Sequence, residues 1–158
     1  MNVLDKHSRA SIWRARTARC AVAVLIAVVW GAVVQTQFNI AALESIGAKI
    51  PALLRMQMTA RDLIGFTPIY AVIVALGLFC AFPVAALIRR NAPRYETLLY
   101  ALAGGVGIAA AIRFVDVATP APTLIAATRT TTGLLVMAIG SALAGGYFAR
   151  KRKTMRKE

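Results

Sequence analysis

Acidic residues are scarce in this chain: six Asp and Glu stand against nineteen Lys and Arg, with a single histidine, His7. That scarcity limits acid–base chemistry. A paired-carboxylate mechanism would need Glu44, Asp62 and Asp116 to converge, whereas carboxylates buried in a bundle are more often paired with bases. His7 lies in a basic, polar tail, far in sequence from any apolar wall that would shape a pocket. Cysteine is nearly as rare. Cys20 and Cys80 form no CxxC pair and no metal spacing with His7, so they read as small packing residues. A thiol-oxidising membrane enzyme, which needs paired cysteines, is disfavoured. No HExxH, GxSxG or Walker loop occurs anywhere in the chain. No cofactor and no metal is expected.

What the chain has in excess is apolar surface. It is 59% hydrophobic with a mean hydropathy of +0.66, against roughly 45–50% apolar in soluble domains. Lipid is the solvent that suits such a composition. The net charge of +13 invites a nucleic-acid reading, but the positions of the basic residues argue otherwise. Most sit in three clusters that each abut an apolar run, as charges that orient membrane spans do. Nucleic acid is therefore not an expected partner, and anionic headgroups beside the basic clusters are.

The runs divide the chain into a single membrane domain. A basic tail (1–18) precedes a first span at 19–39, long enough at ~1.5 Å per residue for a hydrocarbon core of roughly 30 Å. A second span is expected at 67–88, a third at 96–118 and a fourth at 123–149. Short turns at 89–95 and 119–122 and a basic tail at 150–158 complete the layout. Pro83 falls inside the second span, where it deletes a hydrogen bond and predicts a kink. Gly104, Gly105 and Gly107 in the third span, and Gly140, Ser141, Ala144 and Gly145 in the fourth, allow close helix approach. The fold class expected is an all-α integral membrane protein, a four-helix bundle with short interfacial helices in its long first connection.

That connection, 40–66, is too apolar for a solvated loop and too polar for a span. Asn39 can cap a short helix that Gly47 ends in a left-handed conformation. Pro51 opens a second helix to about Ile64, and Thr67-Pro68 can cap and start the next span. Within the second of these short helices Arg55, Thr59 and Asp62 share one stripe, with Leu53, Met56, Ala60, Leu63 and Ile64 opposite. Met56 and Met58 are suited to an adaptable apolar groove.

Fourteen of the nineteen basic residues lie in the two tails and the 89–94 turn. The bias of basic residues toward the cytoplasm then places both termini inside, in a bacterial inner membrane, with the 40–66 segment outside. Toward that outer side converge the polar residues that can bind a ligand: Gln35, Gln37, Asn39, Arg55, Arg61, Asp62, Arg113, Asp116 and Arg129. Arg113 and Asp116 are three residues apart on one helix face, and Arg129 enters from the next helix, so one cluster is expected. Ionisable residues at membrane depth cost roughly 2.5–3.5 kcal/mol and normally face a bundle interior or a cavity, although snorkelling to headgroups is common near helix ends. The leading functional expectation is a non-catalytic accessory subunit with a membrane-protein partner or a homo-oligomeric contact. A lipid- or small-anion-binding or transport protein is the alternative, and an enzyme acting on a lipid headgroup the third reading.

Overall fold

The computed structural model describes residues 3–118 and 125–155. Five α-helices follow in order: α1 (Val3–Ser45), α2 (Ala52–Gly65), α3 (Thr67–Ile88), α4 (Glu96–Ala118) and α5 (Thr131–Met155). Short 3-10 turns at Pro93–Tyr95 and Ala126–Arg129 precede α4 and α5. Among the described residues four stretches are long and apolar enough to cross a membrane: Trp13–Ser45, Thr67–Ile88, Pro93–Ala118 and Thr131–Arg150. The chain is an all-α membrane protein.

The first helix is far longer than its expected span. Its 43 residues reach about 65 Å, over twice a hydrocarbon core of ~30 Å. No glycine precedes Gly31 and no proline precedes Pro51, so nothing in the basic tail interrupts the helix. Nor does Asn39 open a separate short helix. Its cost within a helix is only a few tenths of a kcal/mol, and Ile40, next to it, is completely buried. Packing holds α1 as far as Ile40, and beyond it the exposed last turn is tied to α2 by the Glu44–Arg55 ion pair. Gly47 then turns the chain at φ 92°, the left-handed conformation its position required.

From Pro51 the chain runs back along α1. Arg55 of α2 pairs with Glu44 of α1, Asp62 meets Thr36, and Tyr70 of α3 lies against Gly31. The partners descend on one helix as they rise on the other, so α2 and α3 together form an antiparallel hairpin with α1. Only Phe66 separates α2 from α3. It stays in helical conformation, donates its N–H to Asp62 O and accepts from Tyr70 N–H. Thr67 therefore lies inside the helix rather than capping it, and its hydroxyl is buried without a partner. α3 continues unbroken through Pro83, which faces outward.

The bundle closes as a ring: α1 packs on α3, α3 on α4, α4 on α5 and α5 on α1. At the α4–α5 seam the backbones nearly touch. A Cβ on Gly104 would strike the carbonyl of Ser141, and one on Gly145 the carbonyl of Tyr100. On the α1–α5 seam the Trp30 indole N–H donates to Val136 O at 2.8 Å and its ring covers Gly140. Phe82, Tyr100 and Phe148 fill the core toward the 89–95 turn, with Phe82 and Phe148 stacked at 4.7 Å. There Arg89 and Glu96 (3.6 Å apart) link the end of α3 to the start of α4.

The fourth membrane helix begins eight residues later than its apolar run suggested. Ile125 is extended, the 3-10 turn follows, and the Thr130 hydroxyl accepts the Gly133 N–H at 3.1 Å to cap α5. Thr128, Thr130, Thr131 and Thr132 are residues that favour caps and turns over helix interiors. Ile125, Ala127 and Thr128 are all buried, so the turn is packed into the bundle. At the other end α5 continues five residues past Arg150 into the expected tail. The expected 119–122 turn lies outside the described residues.

Candidate functional site

Polar side chains gather at the end of the bundle where α1 meets α2. They arrive there because α1 becomes polar in its last turns, at Gln35, Thr36, Gln37 and Asn39, and because α2 folds back onto it. Thr36 is completely buried, and its hydroxyl donates to Asp62 Oδ2 at 2.8 Å. Its neighbour Gln35 is half-buried, and Oε1 accepts the backbone N–H of Ala127 at 2.8 Å. Two adjacent residues of α1 thus fasten α2 on one side and the 3-10 turn before α5 on the other. The Arg55–Glu44 ion pair is a second tie to α2, farther from the bundle centre.

The other expected members are placed differently. Gln37 and Arg61 are exposed and Asn39 is half-buried. Arg129 lies in the 3-10 turn rather than on α5. Arg113 and Asp116, although three residues apart on α4, do not pair. Asp116 continues the buried stripe of Tyr100, Gly104, Ile108 and Ile112, whereas Arg113 is on the exposed side. Both Asp116 carboxylate oxygens are buried without a hydrogen-bond partner among the described residues. A helical offset of three residues permits pairing but does not require it, and here core packing takes the acid away from the base.

Two ties were not anticipated, Thr36 and Glu44. Thr36 stands among the polar residues that mark the end of α1. Glu44 and Arg55 lie nearly equidistant from the Gly47–Pro51 reversal, the spacing that brings them opposite each other in a tight helical hairpin. Among the described residues no group of three or more His, Cys, Asp or Glu is gathered to hold a metal ion.

The amphipathic helix α2 presents its faces in an unusual sense. Arg55, Met58, Thr59 and Asp62, which face the bundle, are half-buried, and no residue of α2 is fully buried. The opposite stripe carries Leu53, Met56 and Ile64, which are 68%, 71% and 78% exposed. Polar contacts hold α2 from within, and an apolar stripe faces away from the bundle.

The Thr36–Asp62 bond is one of the two ties to α2 described above, and a hydrogen bond to a charged group contributes about 1.5–3 kcal/mol. In Thr36→Val, amide exchange across 52–65 in lipid nanodiscs is expected to speed up by about tenfold or more, with 70–88 unchanged. Equal exchange in the variant and the parent would show that Arg55–Glu44 and packing suffice to hold α2. No family model, curated protein or solved structure matches the chain.

Proposed function

We propose that this protein is a non-catalytic accessory subunit of a membrane assembly, docking on a partner protein through α2. The observation that carries the reading is the outward apolar stripe Leu53–Met56–Ile64 on a helix whose other face is tied to α1 by polar contacts, one of them to the buried Thr36. Each large side chain of that stripe costs about 1.5–3 kcal/mol to leave in water. A fixed apolar face at the polar end of a bundle is suited to a partner. The alternative, a small anion bound by the outer Arg and Gln side chains, has less support because Gln35 and Arg55 are already engaged within the fold.

Native mass spectrometry of the protein extracted in mild detergent from its own membranes tests the proposal. A second polypeptide at fixed stoichiometry, lost when Met56 and Ile64 are both replaced by Glu, is the expected result. A parent protein that carries lipid alone would sink it.

The placement proposed is a bacterial inner membrane with both termini cytoplasmic, supported by the basic clusters at the termini and at 89–94. A periplasm-active reporter enzyme fused at Lys49 is expected to work and one fused after Arg150 to fail. Activity at Arg150 would reverse the orientation.

A further inference from the structure

Along the α3–α4 seam the two helices approach closely at a pair of glycines. A Cβ on Gly77 would lie 3.2 Å from the Gly107 carbonyl oxygen, and one on Gly107 would lie 2.7 Å from Ala81 Cβ. From that contact toward the α2 end lies a crevice of about 650 Å³ between the helices. Its walls are apolar: Ile73, Leu76 and Cys80 from α3 face Ala110, Phe114 and Val115 from α4. Leu76 and Phe114 on its rim are 60% and 76% exposed, so the crevice opens to the surroundings of the bundle.

Its length identifies the kind of occupant. From Ile73 to Ala81 the crevice follows α3 for about 12 Å, close to the ~15 Å of one leaflet's hydrocarbon. A transmembrane helix of a partner would need a groove through both leaflets, and this one closes where the glycines meet. An acyl chain entering from the α2 side fits that half-membrane depth.

A charge stands on α4 at the level of the α2 end of the crevice, outside the lining itself. Arg113 lies three residues past Ala110, about 60° round α4 from it. It is exposed, and it forms no ion pair among the described residues. It stands about 9 Å beyond Gly107 along the helix, so a snorkelling guanidinium reaches the headgroup layer of the same leaflet. Asp116 does not compete for it, since both carboxylate oxygens are sealed on the buried face of α4.

We infer that the α3–α4 crevice holds one acyl chain of an anionic phospholipid, whose phosphate is bound by Arg113. This site is separate from the α2 stripe, and the two can stand or fall independently. Delipidated protein in mild detergent is titrated with phosphatidylglycerol or with phosphatidylcholine of the same chains, and bound lipid is counted by native mass spectrometry. The expected result is one lipid per protein with about a fivefold preference for phosphatidylglycerol, the effect of one basic residue at a membrane surface. Arg113→Gln should abolish the preference while phosphatidylcholine still binds. Cys80→Phe and Ala110→Phe, which fill the crevice from opposite walls at exposed positions, should each lower binding of both lipids. Parity of the two lipids in the parent protein overturns the inference. So does full lipid binding by both filled variants, or a second polypeptide that the filled variants displace.

Discussion

Gly145→Ala is expected to lower the thermal midpoint of the protein in detergent by about 6–12 °C. The cause is the seam between α4 and α5, where a Cβ at Gly145 would enter the space of the Tyr100 carbonyl. The obstacle is backbone, so no side-chain rotation relieves it, and one helix must move off the other. Overpacking of this kind costs typically 1–3 kcal/mol and occasionally more, and ~3 kcal/mol corresponds to that drop in midpoint for a chain of this size. Gly104→Ala meets the carbonyl of Ser141 on the same seam and should behave alike. Gly146→Ala is the control. Its Cβ would lie 3.9 Å from Ala101 Cβ, an ordinary contact, so a gain of up to about 1 kcal/mol from helix propensity is expected. If Gly145→Ala and Gly146→Ala melt together, the seam is not close-packed and the stability of the bundle lies elsewhere.

The second large effect has the opposite sign: Asp116→Leu is expected to stabilise the protein. The carboxylate oxygens are buried without hydrogen bonds among the described residues, in line with Ile108 and Ile112 on the core face of α4. An unsatisfied buried polar group costs about 1–3 kcal/mol, more when charged, and an apolar group of similar size removes that cost. A rise of roughly that amount in unfolding free energy, measured in detergent, is the predicted outcome. The sequence alone argues for the reverse, because an Asp116 paired with Arg113 and Arg129 would leave two uncompensated positive charges when removed. Loss of stability in Asp116→Leu would therefore restore the compensating cluster and contradict the placement described above. A stabilised variant that loses association with a partner would mark Asp116 as a group retained for function at a cost in stability.

Much of the architecture is legible in the composition and the runs. Four apolar stretches separated by basic clusters and Pro/Gly turns lead to four membrane helices, because lipid leaves few alternatives for an apolar backbone. Gly47 as a turn and Pro51 as the opening of α2 are equally local, each set by the φ its own residue allows. Small residues at Gly104 and Gly145 announced close helix approach without naming the partner.

The tertiary structure decided what depends on contacts distant in sequence. Asn39 has the chemistry of a cap and Thr67 stands in the position of one, yet packing at Ile40 and continuity through Phe66 keep both inside helices. Arg113 and Asp116 have the spacing of a pair, yet Arg113 is exposed while the half-buried Asp116 turns its carboxylate oxygens inward. Thr36, in the sequence one of several polar residues at the end of the first span, becomes the tie for Asp62 because the hairpin register brings it there. A side chain's residue type sets which bonds it can make. Whether it makes them depends on which helix face meets which, and in this bundle the glycine and aromatic contacts of the four seams set that choice.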